Sequence, residues 1–340
     1  MTHRLSLDEV EQLSYRMLVA SGASAQQAEP TARSIREAEA EGIRTVGLGY
    51  LPTYCDHVAC GKVHGHAVPT LTQPRPGTVV VNAALGFAHP AYELGETALV
   101  AAARENGIGV LVVQHSYSAG VLGWFVERLA RQGLVALMFA NSSATMAPHG
   151  GRRPFFGTNP IAWAAPRGNG VPVVADLSSS AVAWVAVNAA AQRGEPIPLG
   201  WALDADGQPT TDARAGLAGS MAPSGGHKGS ALALLVDVLA SGLGASKFSH
   251  EAGNFGGNEG GPPDVGQVVI AIDPSAAGGV SVLDRFEHEF AALAAEPGVR
   301  LPGDHRRASR AVTTSEGVEV DDELFATLTA YAEHGSPAGG

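Results

Sequence analysis

Four candidates for moving a proton near neutral pH fall in three short stretches of this 340-residue chain. His115 and Tyr117 lie in QHSYSAG, directly after the apolar run IGVLVVQ; His149 lies in APHGGRRPFFGTNP; Tyr50 lies in EGIRTVGLGYLPTY. An imidazole is the side chain best matched to general acid–base work at pH 7. A histidine at a strand end is just as often a satisfied polar cap, and His149, inside a glycine loop, could merely stack there. Tyr117 and Tyr50 donate a proton only if their phenols face the reacting atom, and they serve equally well as apolar walls.

A second set of residues suits an anionic ligand. Ala147–Pro160 (APHGGRRPFFGTNP), Ala175–Ser180 (ADLSSS) and Gly225–Ser230 (GGHKGS) each stand where one element gives way to another. They offer backbone N–H groups, hydroxyls and one lysine, the groups that bind phosphates at helix starts and in backbone nests. Asp176 could hold a ribose hydroxyl or simply cap the element that follows. Glycine loops and caps also occur in α/β proteins that bind nothing. No G-x-G-x-x-G opens a helix after an early strand, and AGVLG at 119–123 is only an echo of it, so a nucleotide here would not use a standard Rossmann turn.

CDHVACGKVHGH places Cys55, His57, Cys60, His64 and His66 within twelve residues. These types bind zinc, but the spacing matches no closed tetrahedral pattern, so no metal is expected.

The elements that must position these groups follow from periodicity. Ser6 with Glu9 forms a capping box ahead of Leu7, Val10, Leu13 and Met17; Ser24 with Gln27 repeats the signal for a helix that stops at Gly42, with Pro30 able to kink it. From GTVVVNA onward, strands and helices alternate: AYELGETALVAAARENG, IGVLVVQ, AGVLGWFVERLARQG, LVALMFA, IAWAAP, VPVVADL, SAVAWVAVNAAAQRG, KGSALALLVDVLASGL and VGQVVIAID. Strands apolar on both faces imply a sheet covered by helices on each side. GNFGGNEGGPP at 253–263 has five glycines and no period, which predicts a mobile surface loop, and GVEVDDELFATLTAYAEHG predicts a terminal amphipathic helix.

Composition narrows the function classes. With 45% hydrophobic and 16% charged residues the chain reads as a folded enzyme. A net charge of −11 with dispersed lysines and arginines argues against nucleic acid. The charged N-terminal helix is not a secretion signal, no apolar run is long enough to span a membrane, and two cysteines make no disulfide framework, so the expected compartment is the cytoplasm.

In order, GGRRPFFGTNPIA, ADLSSSAVA, GWALDADGQPTTD, GGHKGSALALLVDVLASGL and LPGD closely resemble the malate/L-lactate dehydrogenase family of non-Rossmann oxidoreductases over nearly the whole chain. The resemblance implies a homodimeric α/β fold with a mixed sheet covered by helices and a helical domain formed by both termini. The implied division is 1–70 with 300–340 (dimerisation and substrate), 75–150 with 220–295 (cofactor) and a smaller inserted unit, 151–219. It also implies NADPH or NADH bound through Ser118, Gly157, Thr158, Asn159, Asp176, Leu177, Ser178, Ser180, His227, Lys228, Pro302, Gly303 and Asp304.

At RTVGLGYLPTY the family normally reads Ser-His-Gly, then an arginine three residues on, then Leu-Pro and a tyrosine. The histidine is its expected proton donor and the arginine its partner for a substrate carboxylate. Here Thr45, Val46 and Tyr50 stand in those places, Ser118 replaces a second family histidine, and His149 replaces a tryptophan. Valine moves no proton, and a phenol cannot replace a bidentate guanidinium. The cofactor side is kept and the substrate side rewritten. The leading expectation is a reductase of an imine or other polarised double bond, with protonation reassigned among His115, Tyr117, His149 and Tyr50. The alternatives are a nucleotide-binding relative without turnover and a 2-hydroxy acid dehydrogenase with relocated catalytic groups.

Overall fold

The computed structural model describes residues 2–168, 170–279 and 281–339. Its centre is a seven-stranded sheet: β1 (Thr70–Arg75), β2 (Thr78–Asn82), β3 (Ile108–Ser116), β4 (Val135–Ala140), β5 (Ile161–Ala165), β6 (Val173–Leu177) and β7 (Val265–Ile272), in the order β1-β2-β3-β7-β4-β5-β6. Only β2 and β3 pair in parallel, and β7 sits between β3 and β4, antiparallel to both. This placement brings the start of β7, after the glycine-rich loop, against the end of β3 where Tyr117 follows.

The apolar strands are buried as expected for a covered sheet: Val79, Val81, Leu111, Val113, Met138 and Val269 pack with Leu99, Phe125 and Leu129 from helices α4 (Ala88–Asn106) and α5 (Leu122–Arg131).

A second core joins the two chain termini. Helices α1 (Leu7–Ala20), α2 (Ala25–Ala40) and α3 (Leu51–Ala59) pack with Val318, Val320 and Leu328. Ser6 makes the expected capping box with Glu9, and Ser24 accepts a hydrogen bond from the Gln27 N–H. Pro30 lies inside α2, which runs on to Ala40. The strand Thr2–Leu5 pairs antiparallel with Val318–Asp321, a ribbon that the sequence reading absorbed into neighbouring helices.

The segment expected as an inserted unit, 151–219, behaves as two parts. β5 and β6 complete the main sheet, whereas Val187, Ala190, Ile197, Ala202 and Ala213 form a separate cluster with Met146, Phe156 and Met221.

Candidate functional site

Tyr50, Tyr54 and His57 stand at spacings of four and three residues, which puts them on one face of α3. Pro52 and Leu51 open that helix directly after Tyr50. The face is buried against the loop after β3: Tyr54 packs edge-on against Tyr50, Phe87 and Tyr117 at centroid distances of 4.9, 5.8 and 5.9 Å. Tyr117 is 1% exposed and His57 fully buried. His57 Nδ1 lies 2.5 Å from the Tyr117 hydroxyl, and its Nε2 lies 3.0 Å from the Gly257 carbonyl oxygen.

That geometry decides the proton positions. A carbonyl oxygen only accepts, so Nε2 carries the hydrogen; in a neutral imidazole Nδ1 is then an acceptor, and the Tyr117 O–H must donate to it. Burial, with the nearby Lys62 ammonium, lowers the His57 pKa and keeps the ring neutral. Burial raises the pKa of Tyr50 and carries that of Tyr117 well above the ordinary phenol value. The Tyr50 hydroxyl donates to the Phe255 carbonyl oxygen at 3.4 Å.

The glycine-rich loop lies at the surface as expected, largely exposed, and is tethered over Tyr117 at residues 254–257. Phe255 packs edge-on against Tyr117 at 5.1 Å, and the buried Lys62 ammonium donates to the carbonyls of Asn254 (2.6 Å) and Gly257 (2.8 Å). The loop's lack of periodicity correctly marked irregular backbone; three side chains on and after α3 supply the order.

The kept motifs meet elsewhere. Ser179 donates through its backbone N–H to the Thr158 carbonyl (2.8 Å) and through its hydroxyl to that of Asn159 (2.7 Å), while the Ser224 N–H donates to the Ser179 carbonyl (2.9 Å). Asn159, buried with φ +37°, is held by the Ala233 carbonyl, Asp237 and Ser249. Gly157 must be glycine, since a Cβ would lie 2.2 Å from the Ser142 hydroxyl. Ser178 and Ser180 share a 3.0 Å hydroxyl bond. Helix α6 (His227–Val236) starts after Gly225 and Gly226, both at positive φ, and leaves His227 and Lys228 exposed. GTNP, DLSSS and GGHKGS are therefore one surface rim, rich in hydroxyls and carrying a free-standing ammonium.

The LPGD turn borders, through Gly303, a different cleft of about 430 Å³ lined by Glu41, Glu127, Arg131, Arg306, Arg307 and Arg310, and Asp176 lies beside it. Asp176 accepts from the Gly123 N–H at 2.9 Å and lies 3.6 Å from Arg306. Its burial raises its pKa, an effect Arg306 opposes. Gly303, at φ +90°, opens α7 (Asp304–Glu316); Pro302 accepts from the Val174 N–H, and Asp304 pairs with Arg307. Arg306 Nη1 is buried without a hydrogen-bond partner among the described residues. Each of these guanidinium groups meets a carboxylate: Arg131 with Glu127, Arg306 with Glu41 and Asp176, Arg307 with Asp304, and Arg310 with Glu37 and Glu41.

The expected proton donors thus separate. Tyr50 and Tyr117 share the aromatic pocket. His115, at φ +50°, turns instead to Asp264 (Nδ1 to Oδ1 2.8 Å), joining β3 to the end of the glycine-rich loop. His149 lies on the cofactor rim, its ring 6.1 Å from that of His227. Ser118 accepts from the Gly120 N–H, and Leu177 is 61% exposed. His57, read from sequence only as a metal-type residue, is the histidine that reaches Tyr117; its spacing from Tyr50 and Tyr54 was the available signal. Among the described residues, no three His, Cys, Asp or Glu side chains converge as metal ligands.

A model of the malate/L-lactate dehydrogenase family matches residues 5–329. The chain is 43% identical to the (2R)-3-sulfolactate dehydrogenase (NADP(+)) of Chromohalobacter salexigens, covering 98% of this chain and 99% of that one. It is 40% identical to a Δ1-pyrroline-2-carboxylate reductase of Ancylobacter novellus, covering 98% of each. The crystal structure of Δ1-piperideine-2-carboxylate reductase from Pseudomonas syringae superposes with a TM-score of 0.93 at 37% identity, covering 97% of this chain and all of that one. With a family match across nearly its full length and the same fold in a solved relative, the chain belongs to the malate/L-lactate dehydrogenase family.

Proposed function

We propose that the protein is an NAD(P)H-dependent reductase of a small cyclic imine that lacks a carboxylate beside the reacting carbon. The observation that carries this reading is the pair Val46 and Tyr50: a half-buried aliphatic side chain and a phenol under Phe255, where the family places an imidazole and a guanidinium. A 2-oxo acid would bury its carboxylate there without a cation, at a cost of several kcal/mol. A cyclic imine that arrives protonated needs neither group. The named relatives act on cyclic imines that carry a 2-carboxylate and on a 2-hydroxy acid, so imine reduction fits the scaffold and the loss of the carboxylate partner is what sets this chain apart from them.

For the cofactor, the rim of Ser178, Ser180, His227 and Lys228 suits a phosphate group. Bound there, the reduced nicotinamide supplies the hydride. The protein's own task is to place the protonated substrate under Phe255 and exclude water. Tyr50 and Tyr117 then serve as pocket walls beside the reacting atoms; His115 and His149 are tied to the loop and the rim.

A homodimer is the assembly that fits the outer face of α6 and the π-turn after it, where Leu232, Leu234, Leu235, Val238 and Leu243 are 43–59% exposed. Among the described residues no helix is long and apolar enough to cross a membrane. Both cysteines are free, which suits the reducing cytoplasm.

The test is a panel of 1-pyrroline, 1-piperideine, Δ1-pyrroline-2-carboxylate, pyruvate and oxaloacetate, with NADH and NADPH, followed by nicotinamide absorbance. The unsubstituted imines should turn over best, and the 2-oxo acids should be slower by several orders of magnitude. Efficient reduction of pyruvate or oxaloacetate would refute the proposal, and the sulfolactate-type reading would take its place.

A further inference from the structure

We infer that Glu39 is the positioning residue of the substrate segment: its buried carboxyl is wedged against Gly47, holds the Leu48 N–H, and so sets where Val46 and Tyr50 stand. The activity readout rests on the reductase reading above; the contact itself and its exchange readout do not.

Local rules give no reason for an acid at this position. Glu39 is the penultimate residue of α2, whose C-terminal dipole disfavours a negative charge, and it is 2% exposed. Burial raises its pKa, opposed by the Leu48 N–H and by Arg44. Arg306 and Arg310, on the helix packed against the end of α2, pair with Glu41 and Glu37. The polar partner of Glu39 is backbone instead, the Leu48 N–H at 2.7 Å. A buried side chain that breaks local rules while meeting one specific partner marks a position set by function.

That partner belongs to the segment the pocket depends on. Arg44–Val46 is a single 3₁₀ turn, in which the Val46 and Gly47 N–H groups donate to the Ile43 and Arg44 carbonyls at 3.3 and 3.2 Å, the long end of the range. The chain runs on through Gly47, whose carbonyl accepts from the Tyr50 N–H at 3.1 Å; the Tyr50 carbonyl accepts from the Tyr54 N–H at 3.2 Å as α3 begins. Glu39 grips this run at its middle. A Cβ on Gly47 would fall inside the carboxyl, 2.8 Å from Glu39 Cδ and 3.1 Å from Cγ, so the acid fills the space that a larger residue at 47 would claim. Being enclosed, the carboxyl has no path aside into water. Val46 precedes this contact by one residue and Tyr50 follows it by three, so the two positions that distinguish the site lie on either side of one clamp. A short turn held only by its own long bonds would let both drift, and a displacement of about 1 Å can cost about 100-fold in rate.

The experiment compares four variants with the parent chain. Glu39→Ala removes the carboxyl, Glu39→Gln keeps an acceptor for the Leu48 N–H, Gly47→Ala crowds the acid, and the double variant Gly47→Ala with Glu39→Ala lets each change make room for the other. Activity is read with 1-pyrroline, cofactor affinity by nicotinamide fluorescence, and the segment itself by amide hydrogen exchange at Leu48 and Tyr50. The expected fall in kcat/KM is about tenfold for Glu39→Ala and about 100-fold for Gly47→Ala, with nicotinamide affinity at the parent value. Glu39→Gln should recover most of the Glu39→Ala loss. The double variant should be faster than Gly47→Ala alone, a coupling that independent structural damage does not produce. Exchange at Leu48 and Tyr50 should quicken at least about tenfold in Glu39→Ala and stay near the parent rate in Glu39→Gln, while the amides of α1 keep their protection. Losses that simply add in the double variant, or Leu48 and Tyr50 amides as protected in Glu39→Ala as in the parent, would overturn the inference. Should Glu39→Ala not fold, Gly47→Ala decides: parent-like exchange at Leu48 in that variant overturns the inference as well. If the parent reduces no imine, the reductase reading fails, and the exchange rates alone decide the role of Glu39.

Discussion

Replacing Lys62 by methionine should free the glycine-rich loop while leaving the rest of the molecule folded. Lys62 is 1% exposed, and its ammonium donates to two loop carbonyls, Asn254 at 2.6 Å and Gly257 at 2.8 Å. Hydrogen bonds to charged groups are worth about 1.5–3 kcal/mol each. Both residues are exposed, so water can satisfy their carbonyls when the loop opens, and the lower end applies: about 3 kcal/mol for the pair. Methionine fills most of the same volume and removes the cost of burying the ammonium, a cost visible in the lowered pKa of Lys62. The loss therefore falls on loop docking more than on global stability. A 3 kcal/mol change in docking raises the open fraction roughly 150-fold. Hydrogen exchange at residues 253–263 and limited proteolysis of the loop are the assays. The melting temperature should fall by only a few degrees. Loop exchange unchanged within about threefold would show that Phe255 and Gly257 alone hold the loop, and the reasoning would fail.

Three further outcomes are expected. Lys228→Ala should weaken nicotinamide binding about ten- to hundredfold, the worth of one charge-assisted contact, as read by fluorescence titration. Glu39, 2% exposed and accepting from the Leu48 N–H at 2.7 Å, has its pKa raised by burial. The native state therefore takes up this proton before the unfolded chain does, so stability relative to Glu39→Gln should rise as pH falls from the raised value toward 4.5; melting curves at several pH values in both proteins check this sign. Light scattering should give about twice the 34.7 kDa chain mass, and Leu235→Lys on the exposed face of α6 should shift it toward the monomer.

Much of the molecule is legible in local pattern. The capping box at Ser6, the N-cap at Ser24, the apolar strands and the alternation from β2 onward depend on neighbours within four residues, and the structure places them as expected. The wording of GTNP, DLSSS and GGHKGS identifies the family for the same reason, since each motif is contiguous. Position 46 was equally legible: a valine in a histidine's place can be read without coordinates. The partners of His57 were not. It sits eleven residues beyond Val46 in a stretch that reads as metal-type, and it meets Tyr117 and Gly257, 60 and 200 residues away. The glycine-rich loop looked free because its own residues carry no period; its order comes from a lysine 192 residues earlier. Asp176 read as a cofactor ligand or a cap, and only the packing of α5 and α7 around it shows Gly123 and Arg306 as its partners. Hydrophobic period and capping are local and survive in one dimension, whereas a hydrogen-bond partner is chosen by chain crossings, so tertiary structure alone decided which histidine meets which tyrosine.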